Sequence, residues 1–225
     1  NYFELENRGG IGVLWMDQQE SKVNKIGPDM IGMFNPLLDE LEKDNSLRAL
    51  VLISRKKDFI AGADIEAFGN VKSPADWLPI AEQGHQILDR MENSRKPIVA
   101  AIYGACMGAG LEIALACAAR VAAMDSAVMS LPEVKLGLLP GGGGTQRLTR
   151  LVGIQKALDM MLTGKNIYAY PAKKMGLVDR VASVPALLNA AIFLAGELVK
   201  GPLKRKDSRP FVAKLLEGNP LTRGI

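Results

Sequence analysis

Two glutamates stand next to glycines and small residues, in segments whose composition suits acid–base chemistry. Glu112 closes the stretch 104–112, in which a predicted strand gives way to a helix that begins near Ala109. Glu133 follows a proline and precedes a four-glycine turn, 141–144. Two carboxyl groups that share a partly dry pocket push their pKa values apart, so one can give a proton while the other takes one. Taken singly the two are weak signals, because Glu112 would equally fit as favourable charge at a helix start and a glutamate after a proline indicates little by itself.

Backbone N–H groups in two segments could stabilise negative charge. The helix that begins near Ala109 leaves its first N–H groups without helical acceptors, and such groups attract anions. They could therefore hold an oxyanion that forms during a reaction. The stretch 59–65 (Phe-Ile-Ala-Gly-Ala-Asp-Ile) follows a predicted buried strand and would let the backbone come close to a ligand. It would equally fit a tight turn that Asp64 braces.

The sequence lacks residues that common cofactor and metal motifs require at fixed positions. The glycine turn 141–144 has no lysine at P-loop spacing, and Gln146 stands where the dinucleotide fingerprint needs its last glycine. Cys106 and Cys117 lie in apolar stretches without metal-ligand or redox spacing, which indicates reduced core thiols. The single histidine, His85, lies in a polar stretch, where a solvated role is expected. We therefore expect no metal site, no Cys–His nucleophile and no separate cofactor.

The composition indicates one globular domain. A chain of 225 residues can bury a sizeable core but is too short to assume two domains. No apolar run is long enough to cross a bilayer. The net charge of +4 and the pI of about 9.0 permit nucleic-acid binding. Only 5% of residues are aromatic and no basic stripe carries them, so nucleic acid is not expected as a partner.

Apolar periodicity predicts an α/β fold in which strands and helices alternate. Strand, helix and strand in the first part of the chain suggest a right-handed crossover unit. The glycine-rich segment 104–110 is predicted to be a turn. The predicted strands are 12–16, 47–53, 97–103, 120–124 and 128–131, and the predicted helices are 28–43, 74–92, 109–118, 145–152, 155–162, one that starts within 171–175, 185–199, and a short one at 211–216.

Together these segments resemble the crotonase, or enoyl-CoA hydratase/isomerase, superfamily over roughly residues 10 to 200. The resemblance is closest to the N-terminal hydratase part of multifunctional alpha subunits of fatty acid oxidation. It implies a crotonase-type spiral of strand-strand-helix units with small perpendicular sheets. The segments that carry it are 59–65, 104–112 and 131–147, and those that favour the subtype are 21–24, 157–165 and 172–179.

The resemblance assigns roles to individual residues. Ala63 and Ala109 would supply the two oxyanion-hole N–H groups, while Glu112 would activate water and Glu133 would protonate the substrate Cα. The family usually has glycine where this chain has Ala109, but the backbone N–H is still present. The residues that the resemblance places at the substrate or its coenzyme A part are Lys22, Ala61, Ala63, Asp64, Ile65 and Gly108.

The implied reaction is hydration of trans-2-enoyl-CoA to 3-hydroxyacyl-CoA in fatty acid β-oxidation. One alternative on the same fold is an enoyl-CoA isomerase, for which one carboxylate can suffice. The presence of both Glu112 and Glu133 favours hydration and argues against a catalytically dead module. Dual hydratase and isomerase activity remains an alternative.

The domain organisation follows the change of character after Gly201. Residues 1–200 are expected to form the hydratase/isomerase domain, and 201–225 a linker or helical extension toward a dehydrogenase module. By the resemblance, partners would be an acyl-CoA thioester, a hydroxyacyl-CoA dehydrogenase module and a thiolase subunit, with a homo-oligomer also open. A reducing compartment is expected, cytoplasmic in a bacterium or the mitochondrial matrix in a eukaryote, and not secretion.

Overall fold

A computed structural model describes residues 2–66 and 73–205, whose strands form two sheets. The strands are β1 (Phe3–Arg8), β2 (Ile11–Met16), β3 (Ala49–Ser54), β4 (Ile98–Ile102), β5 (Ala105–Met107), β6 (Ala119–Ala123), β7 (Val128–Ser130), β8 (Ile167–Tyr168) and β9 (Arg180–Ala182). The larger sheet has the order β1-β2-β3-β4-β6-β9, and only its β1–β2 pair is antiparallel. The smaller sheet has the order β5-β7-β8. The predicted α/β class is confirmed.

Helices connect the parallel strands. They are α1 (Pro28–Lys43), α2 (Pro74–Glu92), α3 (Ala109–Ala116), α4 (Gly144–Val152), α5 (Ile154–Thr163), α6 (Ala169–Met175) and α7 (Leu187–Lys200), with short 3-10 turns at Glu133–Leu136 and Val184–Ala186. The bounds of α1 and α2 match the sequence prediction. Proline at the first position presets the helical φ of α1, and a reciprocal Ser73–Asp76 capping box starts α2.

Four strands of the structure are absent from the sequence prediction, namely β1, β5, β8 and β9. The segment 104–110 is not one continuous turn, because β5 occupies its middle and pairs in parallel with β7. Gly104 and Gly108, with φ of 59° and 51°, make the turns on either side. Helix α6 begins at Ala169, two residues before the segment 171–175 in which the sequence predicts a helix start, and ends at Met175. Strands this short are defined by their pairing partners, which a local pattern does not reveal.

The core lies between the larger sheet and the helices on it. Strands β3, β4 and β6 are buried along their whole length, as expected for parallel strands covered on both faces. Helix α7 packs across β2, β3, β4 and β6. Among the described residues no helix is both long and apolar enough to span a membrane. The predicted helix 211–216 and most of the segment 201–225 lie outside the described residues, so the predicted domain division stays a prediction.

Candidate active site

The loop after β3 is fixed by one buried asparagine. The Asn24 side chain donates hydrogen bonds to Ser54 Oγ (2.9 Å) and to the carbonyl oxygen of Phe59 (3.2 Å). The Asn24 backbone carbonyl accepts the N–H of Ala61 at 2.9 Å. Asn24 is fully buried, so these bonds are made away from competing water. The loop that leads to Ala63 is therefore held at three points.

Pairing with Ile26 determines where the backbone of Ala63 points. The N–H of Ile26 donates to Gly62 O (2.9 Å), and the N–H of Asp64 donates to Ile26 O (2.8 Å). In such a parallel bridge, the residue between the two hydrogen-bonded peptide groups, here Ala63, points its own N–H away from Ile26. Within the described part of the chain, the Ala63 N–H has no hydrogen-bond acceptor. It is available to a ligand.

A second available N–H belongs to Ala109, the first residue of α3. Gly108 before it has φ 51° and ψ −121°, a conformation that a side chain would strain. The peptide is anchored on both sides, because Gly108 N–H donates to Ser130 O (3.0 Å) and Gly108 O accepts from Glu112 N–H (3.0 Å). The Ala109 N–H itself has no acceptor among the described residues, as expected for a helix start.

Glu112 is buried in the first turn of α3, with 3% of its surface exposed. Its Oε1 accepts two backbone N–H groups, from Gly142 at 2.7 Å and from Gly144 at 2.8 Å. Burial raises the pKa of Glu112, while these two bonds and the nearby charges of His85 and Arg147 act to lower it. The carboxylate is therefore held in one orientation.

Glu133 opens the 3-10 turn Glu133–Leu136 and faces the same pocket. Its Oε2 is buried without a hydrogen-bond partner among the described residues. Burial, together with the negative charge of Glu112, raises the pKa of Glu133 to about 7. A Cβ at position 108 would lie 3.1 Å from Glu133 Oε1, so Gly108 also makes room for this carboxyl. Glu133 can hold a proton at neutral pH and keeps an oxygen free to transfer it.

These four groups line one largely apolar pocket of about 320 Å³. Helix α2 forms much of its wall, and two exposed leucines of the segment after Glu133, Leu138 and Leu139, also line it. Such a pocket excludes water from an acyl chain and strengthens polar interactions inside it. Its other lining residues include Ile26, Ile31, Phe34, Trp77, Ile80, Ala81, Gly84, Ile87, Leu88, Ile113 and Gly142.

The remaining predicted binding residues lie outside the lining of this pocket. Lys22 and Ile65 are exposed, and Asp64 forms an ion pair with Lys25 whose Nζ–Oδ1 distance is 3.6 Å. Ala61 is half-buried in the loop that Asn24 holds. The structure thus brings together both predicted glutamates and both predicted N–H donors, and leaves the coenzyme A assignments untested.

Sequence reasoning missed the supports of Glu112. The sequence comparison of the glycine turn 141–144 covers a phosphate loop and a dinucleotide fingerprint, whereas the N–H groups of Gly142 and Gly144 bind a carboxylate of the same chain. A side chain at position 142 would crowd the carboxylate, since a Cβ there would lie 2.6 Å from Glu112 Oε2. Arg147, at the turn's other end, was also missed. His85 is exposed, as expected, and lies close enough to Glu112 to influence the pKa of that carboxyl.

The described residues contain no group of three or more His, Cys, Asp or Glu side chains arranged to hold a metal ion. Cys106 and Cys117 are buried, and burial raises the pKa of both thiols, that of Cys117 to about 12. Neither is a thiolate nucleophile at neutral pH. The chemistry available in the pocket is acid–base transfer between two carboxyls beside two backbone donors.

An α/β fold that brings two carboxyls and two N–H groups, unpaired among the described residues, into one apolar pocket is the arrangement expected of a crotonase-type enzyme. A model of the enoyl-CoA hydratase/isomerase family matches residues 6–219, and the chain belongs to this family. Solved enoyl-CoA hydratases share the fold. That of Bacillus anthracis has a TM-score of 0.82 at 28% identity, over 89% of this chain and 78% of that one. That of Thermoplasma volcanium has a TM-score of 0.80 at 31% identity, over 89% and 78%.

Among curated proteins the chain is similar to alpha subunits of fatty acid oxidation complexes. The subunit of Shewanella amazonensis is 47% identical over 99% of this chain. That of Shewanella loihica is 47% identical over 96%. The chain spans about a third of the length of these relatives, 32% and 31% respectively. The predicted family, fold and enoyl-CoA hydratase class are confirmed.

Proposed function

We propose that this domain adds water to trans-2-enoyl-CoA, forming 3-hydroxyacyl-CoA, through Glu112, Glu133 and the N–H groups of Ala63 and Ala109. The observation that carries the proposal is the pairing of one carboxyl held by two N–H donors with a second whose pKa is raised to about 7. Two such environments fit one base and one acid.

The first step concerns the thioester carbonyl. As water attacks Cβ, the π electrons of the double bond move toward the carbonyl oxygen, which gains negative charge. The N–H groups of Ala63 and Ala109 have no competing acceptors among the described residues. Donors that are preorganised around a developing oxyanion stabilise the transition state more than the ground state. We place the carbonyl oxygen between these two groups.

Proton transfers complete the addition. Glu112 takes a proton from the water as its oxygen bonds to Cβ, and protonated Glu133 delivers its own proton to Cα. The product gains H and OH across the former double bond, Glu133 is left ionised and Glu112 protonated, and exchange with solvent resets both. Gly142 and Gly144 aim Glu112 at the water, while the partnerless oxygen of Glu133 is free to act.

The acyl chain and the coenzyme A part would occupy different surroundings. The apolar wall of α2 suits the acyl chain. For coenzyme A we propose the segment 61–65 together with Lys22 and Gly108. In a longer protein of the kind that the relatives represent, the 3-hydroxyacyl product would pass to a dehydrogenase module, and a thiolase subunit would follow. The dehydrogenase and the thiolase are proposed from the family resemblance; the relative of Shewanella amazonensis adds that it is the alpha subunit of a fatty acid oxidation complex and about three times the length of this chain.

Product analysis tests the proposed reaction. Purified protein is incubated with trans-2-enoyl-CoA esters of rising chain length in isotopically labelled water. We expect 3-hydroxyacyl-CoA that carries one labelled oxygen, formed ~10²-fold or more slowly by Glu112→Gln. A parallel incubation uses 3-enoyl-CoA. Its conversion to 2-enoyl-CoA without label uptake, with no hydration of the 2-enoyl ester, would identify an isomerase instead. No conversion of either ester would overturn the proposal.

A further inference from the structure

We propose that Arg147 is a positioning residue that fixes the orientation of Glu112 by holding the turn 141–144 against α2. The inference rests on the proposed function, because the group it positions is the proposed base. It adds a link between the wall of the acyl pocket and the reacting carboxylate.

The guanidinium of Arg147 is buried, with 7% of the side chain exposed, and each of its three nitrogens has an acceptor. Nη1 donates to Gly142 O at 3.0 Å. Nε donates to Glu92 at 2.8 Å and Nη2 to Asp89 at 2.5 Å, both near the end of α2. A planar fork with five fixed N–H donors can serve three acceptors at once, which a lysine ammonium cannot do in the same geometry.

The turn to which Arg147 donates a hydrogen bond is the same turn whose N–H groups bind Glu112. The carbonyl oxygen of Gly142 accepts a hydrogen bond from Arg147, and the N–H of Gly142 donates one to Glu112 Oε1. This one residue therefore connects the two side chains. Gly144 adds the second N–H to the same carboxylate oxygen. Gly143 between them leaves no room for a side chain, since a Cβ there would collide with the guanidinium. Any shift of Arg147 therefore moves the donors of Glu112.

Helix α2 is the other end of this connection. Leu88, directly before Asp89, lines the acyl pocket, as do Ile87 and Gly84 in the preceding turn. The face of α2 that would contact the acyl chain is thus rigidly joined to its acidic end, which holds Arg147. In this arrangement the acyl-pocket wall and the base share one support.

The first experiment compares Arg147→Gln and Arg147→Lys with Arg150→Gln, a matched control three residues on in the same helix and exposed to solvent. We expect kcat for enoyl-CoA hydration to fall by ~10- to 10²-fold in both Arg147 variants, the scale of a small misplacement of a reacting group. The change in kcat should exceed the change in KM, because Arg147 contacts the turn that binds Glu112 and reaches the pocket wall only through the end of α2. Arg150→Gln should behave as the parent. Unchanged kcat in both Arg147 variants would overturn the inference.

A pH profile separates positioning from a loss of stability. Glu112 is faced by His85 of α2, by Arg147 of α4 and by Glu133 of the 3-10 turn. Loss of Arg147 and loosening of the two N–H bonds both raise the pKa of Glu112, so the acid limb of the kcat profile should move to higher pH. A fall in kcat with an unmoved limb and a lower melting temperature alone would show a purely structural role and overturn the inference.

Two further measurements test the positioning role even if an Arg147 variant does not fold or the parent protein has no hydratase activity. The double variant Asp89→Ala/Glu92→Ala removes both acceptors of Arg147 on α2 at exposed positions, and we expect the same direction of change in kcat. Amide proton resonances of Gly142 and Gly144 report the hydrogen bonds to Glu112 without any turnover. A parent that lacks hydratase activity overturns the proposed function alone, whereas unshifted amides in the Arg147 and double variants overturn the positioning role.

Discussion

At the residue scale, the buried carboxyl of Glu133 can donate a proton near neutral pH, and its ionisation at higher pH lowers the stability of the folded protein. Its pKa rises from the ordinary 4.5 to about 7 because the pocket buries it beside Glu112. The folded protein therefore binds this proton more tightly than the unfolded chain does. The resulting stabilisation is fully present below pH 4.5 and is lost as the pH rises through about 7.

Glu133→Gln removes this ionisation, so we expect its melting temperature relative to the parent to increase as the pH rises from about 4.5 to 7 and then to level off. Thermal unfolding followed by circular dichroism across that range measures the difference. A difference that stays constant with pH would mean that the carboxyl titrates normally in the folded protein and could not act as an acid near neutrality.

At the element scale, the start of α3 and the turn 141–144 carry separate parts of the site. At the start of α3, Ala109→Pro deletes the N–H, whereas Ala109→Gly keeps it and removes a methyl. Proline is tolerated in a first helical turn. We expect Ala109→Pro to lose ~10²- to 10³-fold in kcat, the cost of one oxyanion donor, with little change in substrate binding.

The control for this pair is Ala109→Gly, which should keep activity at a small cost to the helix so near its end. Steady-state kinetics on both purified variants separates the effect of the N–H from that of the side chain. Normal turnover in a folded Ala109→Pro protein would mean that the oxyanion donor lies elsewhere.

The turn 141–144 gives a steric test. In Gly142→Ala the new methyl would lie 2.6 Å from Glu112 Oε2 and must displace the carboxylate. In Gly141→Ala the methyl meets no described atom within 4 Å. We expect kcat to fall by ~10²-fold in Gly142→Ala, because a reacting group is misplaced, and to stay close to the parent in Gly141→Ala. Equal activities would show that Glu112 need not be held where the structure places it.

The sequence predicted the elements that have strong local patterns. Helices α1 and α2 carry proline starts, and buried strands such as β3 are continuous apolar runs. Glycines and the family resemblance pointed to Glu112 and Glu133. Strand β5 and the supports of Glu112 depend on tertiary contacts, since Gly142 lies 30 positions along the chain from Glu112. No local pattern encodes which carboxylate a glycine turn will bind.

At the scale of the whole molecule, charge distinguishes the proposed ligand from nucleic acid. The net charge of +4 would favour both a coenzyme A ester and a polynucleotide. Polynucleotide binding driven by phosphate contacts falls steeply with salt, whereas a ligand held by an apolar pocket and hydrogen bonds depends on salt much less. We expect retention on a coenzyme A resin to persist at a salt concentration that abolishes retention on DNA. Retention on DNA at a salt concentration that abolishes retention on the coenzyme A resin would instead support nucleic-acid binding.

Direct measurement of hydration by the two glutamate variants tests the central claim most sharply. Purified Glu112→Gln and Glu133→Gln are compared with the parent on one trans-2-enoyl-CoA ester, after circular dichroism has shown that all three are folded. The account predicts that each variant loses ~10²-fold or more in kcat, the scale of a positioned acid or base. It also predicts that the double variant loses much less than the product of the two, because the residues act on one transition state. Turnover close to that of the parent in either folded variant would contradict the two-carboxylate mechanism.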